Sequence, residues 1–338
     1  MGAPTHSVDT EVIVVGAGVM GLATARALAR AGRDVVVCEQ FSIGHERGSS
    51  HGASRIVRLS YPDVRWVRLA RRSYPLWRVL EAESGQRLLE LPGTLDLGDW
   101  EPNRRSLATC GEPFEVLEAA EIRRRFPIRP DGSGLYQREG GIVRADLALE
   151  ALCDGAIAAG AELREGTRVG SIQEDGETVV AGEVRARVAV VAAGAWAPAL
   201  IGVDATPTRE TTSYFSGADA LPSVIDTTAG AALGYAVVAP GVGLKAGLHQ
   251  SGPTVDPDEA GVSDECVAAR TAEWVARRFP DAGGLVRSET CLYTTRTDDE
   301  FLLERRGRVV VGSACSGHGF KFAPVVGERL AALAAEAL

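Results

Sequence analysis

Residues 11–32 read EVIVVGAGVMGLATARALARAG, and this stretch decides the fold. Glu11–Val15 is a short apolar run ended by Gly16, the pattern of a strand buried on both faces. Val19–Ala31 is rich in Ala and Leu and stops at Gly32, which predicts a helix closed by a glycine. Val35–Cys38 is a second buried strand, and Glu39 follows it. Gly16, Gly18 and Gly21 therefore form G-x-G-x-x-G between a strand and a helix. The first glycine permits a tight turn, the second lets a pyrophosphate approach the backbone, and the third lets the helix pack closely on the strand. The helix N-terminus then faces the negative charge. Glu39 stands 18 residues beyond Gly21, where an acid accepts hydrogen bonds from a ribose. The glycine spacing alone also fits a structural turn; strand, helix, glycines and acid together predict a dinucleotide-binding unit.

Further along, Asp146–Gly160 is an amphipathic helical stretch, followed by strand-like residues 161–172, a turn at Glu174–Glu177 and the buried run RVAVVAAGAW at 187–196. RVVVGS at 308–313 is another buried strand, and Val325–Leu338 reads as a final helix. Residues 207–284 differ in character. They are rich in Thr, Ser, Gly and Pro, with alternating segments at Leu233–Ala239 and Gly243–His249 that suit antiparallel strands. Residues 85–140 form an irregular insert with turn signals such as RPDGSG. The expected class is α/β with an α+β substrate domain. The cofactor domain takes residues 1–84, 141–206 and 285–338, and a mixed or antiparallel-sheet substrate domain takes 85–140 and 207–284. The fingerprint does not separate NAD from FAD, but a cofactor fold scattered over three pieces favours FAD.

The chain has 338 residues, 45% hydrophobic and 24% charged, an ordinary globular balance. A net charge of -9 argues against nucleic acid or an anionic membrane as partner. The six cysteines show no CxxC spacing, so neither a metal site nor a disulfide framework is indicated. Without a basic leader or a spanning apolar run, the chain reads as cytoplasmic. Of 36 basic residues, all but Lys245 and Lys321 are arginine. Arginine replaces lysine wherever only positive charge matters, but not where a compact ammonium with a tunable pKa is needed.

Four blocks carry a resemblance to the family of monomeric sarcosine oxidase, N-methyltryptophan oxidase and pipecolate oxidase. They are the fingerprint, SSHGASRIVRLSYPD at 49–63, GLKAGLH at 243–249, and CLYT at 291–294 followed by SGHGFKF at 316–322. The resemblance implies a glutathione-reductase-like FAD domain interleaved with a mixed-sheet substrate domain. It also implies covalent flavin on Cys291 as a thioether, and His51 and Arg55 over the flavin. Arg58 and Lys321 would hold a substrate carboxylate, and Lys245 would promote oxygen reduction. His249, Tyr293 and Tyr235 map to active-site positions. The cofactor contacts implied are Gly16, Gly18, Gly21, Glu39, Val169, Gly194, Cys291, Gly317, Gly319, Phe320 and Lys321. The family's usual Thr-Pro-Asp-Glu run after CLYT is replaced here by Thr295, Arg296, Thr297, Asp298 and Asp299, so the pocket wall is expected to differ.

The residue types suit that chemistry. A planar arginine fork and a point-charge lysine bind a carboxylate. Surrounding positive charge disfavours the ammonium form of a bound amine, so hydride can leave the carbon beside a neutral nitrogen. Taken alone, Arg55 and Arg58 fit a solvated strand face equally well, although Ile56, Val57 and Leu59 argue for burial. Cys315 is the rival thiol to Cys291 and reads as a small hydrophobe. The expected activity is FAD-dependent oxidation of a small secondary-amine amino acid with O2 as acceptor. A flavin dehydrogenase serving a carrier protein, or a non-catalytic flavin-binding protein, are the alternatives.

Overall fold

The computed structural model describes residues 8–338, and among these the chain divides into two compact units. The first takes the chain up to His51, Ala148–Pro207 and Thr294–Leu338; the second takes Gly52–Leu147 and Thr208–Tyr293.

In the first unit β1 (Thr10–Val15) lies between β2 (Val35–Cys38) and β12 (Val184–Val191), parallel to both. Val12, Ile13 and Val14 have no exposed surface, as a strand covered on both faces requires. β9 (Glu162–Arg164) extends the parallel sheet beyond β2, after α5 (Ala145–Ala158). On the other side of β12 stand the antiparallel hairpin β10 (Ile172–Asp175) and β11 (Thr178–Ala181), and also the parallel β19 (Val309–Ser313), itself paired with β18 (Leu302–Arg306). Short α6 (Ala197–Ile201) follows β12. α1 (Val19–Arg30) packs on α8 (Ala323–Ala335) so closely that a Cβ on Gly327 would lie 2.6 Å from the Ala23 carbonyl carbon.

The second unit is built on a mixed sheet. Its strands run, in spatial order, β17 (Ala282–Thr295), β13 (Thr206–Gly217), β16 (Gly243–Leu248), β15 (Gly234–Ala239), β14 (Ser223–Asp226), β5 (Thr94–Leu97), β7 (Gly134–Gln137) and β6 (Glu115–Leu117). Only the β14–β5 pair is parallel among those whose register is described. Alternation gives this sheet two different faces. Leu244 and Ala246 point with Phe215, Val224 and Ala236 into a core shared with Trp274, Val275 and Phe279 of α7 (Glu265–Arg278) and its C-terminal cap. Lys245, Gly247 and the following His249 take the opposite face. A small sheet, β3 (Ser54–Val57), β8 (Gly141–Arg144) and β4 (Leu89–Glu90), belongs to the same unit, as do α2 (Val64–Ser84), α3 (Glu101–Cys110) and α4 (Ala119–Arg125).

Several elements depart from expectation. α7 lies inside the stretch read as strands; Asp264 caps it, accepting from the amides of Cys266 and Val267, and Val267, Thr271, Trp274, Val275 and Arg278 supply its buried stripe. CLYT lies at the end of the 14-residue β17. In residues 161–172 the strand stops at Arg164 and resumes only at Ile172. Residues 52–84, expected with the cofactor domain, group with the second unit because β3 pairs with β8 and α2 packs on α3. Residues 1–7 of the expected cofactor domain lie outside the described residues.

Candidate active site

At the start of α1 two of the three glycines, Gly16 and Gly21, are sterically required. Gly16 has φ +99°, where side-chain residues are strained, and a Cβ there would meet the Ala192 carbonyl oxygen at 2.7 Å. A Cβ on Gly21 would fall 1.8 Å from the Gly16 carbonyl oxygen. Gly18 sits at the N-cap position, and no side chain caps the helix from it. Ser50 Oγ accepts from the Val19 amide at 3.1 Å instead. Glu39 is buried at the end of β2, where its carboxylate accepts from the Ala17 amide at 2.8 Å and the Phe41 amide at 3.0 Å, with His45 Nε2 at 3.5 Å. Burial raises its pKa, but the hydrogen bonds from His45, Ala17 and Phe41 outweigh that and hold it below the usual carboxylate range. His51 and Phe320 are buried in this unit, and Val169 packs in the cluster of Ile13, Val36 and Val179. Gly194 and Gly317 adopt φ +51° and +73°, and a Cβ on Gly319 would collide with the Ala314 carbonyl. Lys321 is buried, its ammonium donating to the His318 carbonyl at 2.7 Å.

In the second unit the polar face of the large sheet carries Lys245, Tyr235, His249, Cys291 and Tyr293, while Arg55 and Arg58 come from β3 and the residue just after it. Lys245 is 5% exposed, and its Nζ donates to the Ser54 carbonyl at 3.2 Å. Burial first, and then the neighbouring Arg55, push its pKa down to about 7, against the opposing effect of Cys291 and Glu289. Tyr235 bonds to the Thr212 hydroxyl at 3.2 Å, and burial together with Cys291 pushes its phenol up to about 12. His249 and Tyr293 rings lie 5.6 Å apart. Arg58 faces Asp96 at 3.4 Å and stacks over Tyr61 at 4.5 Å, while Asn103 also donates to Asp96. Lys245, Arg55, Cys291 and Tyr235 therefore share one electrostatic neighbourhood, His249 and Tyr293 form a second pair, and Arg58 sits in a network with Asp96. Lys321 belongs to the other unit. Among the described residues no group of His, Cys, Asp and Glu could hold a metal ion, and no helix is long and apolar enough to cross a membrane.

The family model described as FAD dependent oxidoreductase matches residues 11–333. The chain belongs to that FAD-dependent oxidoreductase family. It is 34% identical to a monomeric sarcosine oxidase of Streptomyces avermitilis, over 98% of this chain and 94% of that protein. It is 32% identical to a human peroxisomal sarcosine oxidase, over 95% and 90% of the two chains. The solved structure of NikD, an unusual amino acid oxidase essential for nikkomycin biosynthesis, superposes with a TM-score of 0.87 at 29% identity, covering 98% of this chain and 95% of that one.

FAD suits the first unit of this FAD-dependent oxidoreductase. The glycine-lined N-terminus of α1 and the Glu39 carboxylate at the end of β2 are the donor and acceptor set for a pyrophosphate and a ribose. A side chain at Gly16 or Gly21 would close that loop. When bound, the flavin supplies hydride acceptance and electron transfer, which no side chain here provides.

Other residues of the oxidoreductase escaped sequence reading. His45 and Ser50 complete the cofactor end, and Asp96 anchors Arg58. Tyr214 stands directly opposite Lys245 in the β13–β16 register. Arg287 and Glu289 lie beside it. One signal was available for the last two. Positions 287, 289, 291 and 293 alternate along β17, so they share a face with Cys291 and Tyr293.

Proposed function

We propose that this chain is an oxidase of a small secondary-amine amino acid, an N-methyl or cyclic imino acid, using FAD held as a thioether on Cys291 and reducing O2 to H2O2. The observation that carries the proposal is Lys245, a buried amine in the electrostatic field of Cys291 from the same sheet and of Arg55 from β3. The sarcosine oxidases and the N-methyl-L-tryptophan oxidase of Yersinia pestis, 29% identical over 96% of this chain, support the substrate class.

In this reading Arg58 and Lys321 hold the substrate carboxylate. The cationic surroundings keep the amine neutral, so the carbon beside nitrogen loses hydride and the product is an imine that water hydrolyses. His51, Arg55, His249, Tyr293 and Tyr235 line and orient the reacting groups. Lys245 stabilises the negative charge that develops on oxygen as it is reduced. Cys291 rather than Cys315 carries the flavin in this reading, because Cys291 is the thiol that shares the electrostatic neighbourhood of Lys245.

The test is anaerobic mixing with a panel of N-methyl and cyclic amino acids, followed by air. Flavin bleaching by at least one of them and one H2O2 per turnover are expected. Bleaching without peroxide would move the assignment to a dehydrogenase serving a carrier, and no bleaching by any of them would defeat it. Colour that stays with acid-precipitated protein, and leaves it in Cys291→Ala but not in Cys315→Ala, checks the attachment.

A further inference from the structure

We infer that Glu289, itself set in place by Arg287 beside the Tyr214 ring, is a positioning residue that favours the ammonium form of the Lys245 side chain. This rests on the reading of Lys245 as the oxygen-facing cation and adds the device that sets its charge.

The geometry starts from register. Tyr214 on β13 pairs with Lys245 on β16, and Lys245 Nζ lies 5.7 Å from the Tyr214 ring centroid. A Cβ on Gly52 would lie 3.5 Å from both Lys245 Nζ and Tyr214 Oη, so the two polar heads flank one point. On β17, the strand beside β13, the Arg287 guanidinium stacks 4.0 Å over the same tyrosine ring, and its Nε donates to Glu289 Oε1 at 2.7 Å. The Glu289 carboxylate faces the Tyr214 hydroxyl. Arg287, Glu289 and Cys291 alternate along the strand and so project to one face. Arg287 thus contacts both the ring and the carboxylate, and Glu289 and Lys245 flank Tyr214 from the strands on either side of it.

The groups acting on Lys245 come from each neighbouring element. Arg55 and the Ser54 carbonyl belong to β3, Tyr214 to β13, Tyr235 to β15 on the other side of β16, and Arg287, Glu289 and Cys291 to β17. Burial, Arg55 and Arg287 favour the neutral amine, whereas Cys291 and Glu289 favour the ammonium. A thioether sulfur carries no charge. Once the flavin is attached, Glu289 is therefore the anion of this set that still opposes Arg55. A cation needed for oxygen chemistry in a desolvated site requires such a partner, and a carboxylate one ring away supplies it without closing an ion pair that would block access to the ammonium.

The experiment uses the flavin-loaded protein labelled with [13Cε]lysine. The chain has two lysines, so the two resonances are assigned by Lys245→Met alone. Glu289→Gln is expected to move the Lys245 titration to lower pH by about half a unit to one unit, a roughly three- to tenfold loss of ammonium above the midpoint. The alkaline fall of flavin reoxidation should move with it. Glu289→Asp should restore both. Glu289→Ser should lower the Lys245 midpoint as Glu289→Gln does, and it serves if Glu289→Gln does not fold. An unchanged Lys245 midpoint in Glu289→Gln, or equal displacement in Glu289→Asp, overturns the inference. Reoxidation of Lys245→Met as fast as the parent removes the oxygen-site reading instead, while leaving the lysine titration result standing.

Discussion

The start of α1 and the sheet face around Lys245 are built on opposite principles. At α1 the useful groups are backbone amides, and the side chains that matter most are the ones missing. A Cβ at Gly21 has 1.8 Å to the Gly16 carbonyl oxygen. Around Lys245 the backbone only sets register, and ionisable side chains from β3, β13, β16 and β17 stand in each other's fields. The first region tolerates no added atoms; the second tolerates changes of shape better than changes of charge.

Gly21→Val should break the first region outright. Overpacking costs about 1–3 kcal/mol or more where a core cannot relax, and here the neighbour is backbone. The expected outcome is little soluble protein and no yellow fraction, read by expression yield and flavin absorbance. Gly194→Ala is the contrast within the same unit: its φ of +51° is strained, but nothing lies within 4 Å of the added carbon. It should cost roughly 1 kcal/mol, seen as a Tm a few degrees lower.

Lys245→Met should separate function from stability. Reoxidation of the reduced enzyme should slow about 10²- to 10³-fold, the usual effect of deleting a group that stabilises developing negative charge. The fold should gain stability. A folded pKa of about 7 lies below the unfolded value, so protonating the buried amine opposes folding at any pH below the unfolded pKa. Removing it should raise stability by on the order of 1–4 kcal/mol at neutral pH, with the gain shrinking as pH rises toward about 10. In the parent, the reoxidation rate should fall as pH rises through about 7.

Glu39→Gln should show the opposite pH sign and a smaller effect. Its folded pKa is lowered, so its contribution is present above the unfolded pKa of about 4.3 and is lost as pH falls through the folded value. The variant should be destabilised by about 1–2 kcal/mol at neutral pH, and the difference from the parent should vanish in acid, measured as Tm against pH. If Lys245→Met and Glu39→Gln showed the same pH trend, the contrast between the two regions would fail.

Legibility in sequence followed the same division. The strand, glycines, helix and acid between residues 11 and 39 could be read because every contact they need is local or one strand away. GLKAG could be read as a strand for the same reason, and its lysine stood out because the chain holds so few. The partners of that lysine could not be read. Tyr214 and Glu289 lie 31 and 44 residues from it, and each looks like an ordinary polar strand residue. α7 was missed because the Thr- and Gly-rich stretch around it suggests strands, whereas its own buried stripe and the Asp264 cap prevail once a sheet face is available to pack on.

By itself, then, the sequence determined a dinucleotide fold, because strand, glycine turn, helix and acid follow one another within residues 11–39 and the Gly21 clash with the Gly16 carbonyl arises inside that turn. Tertiary structure alone decided which ionisable groups meet Lys245. Strand register places residues far apart in sequence within a few ångströms, and charge interacts through space at those distances regardless of the path of the chain.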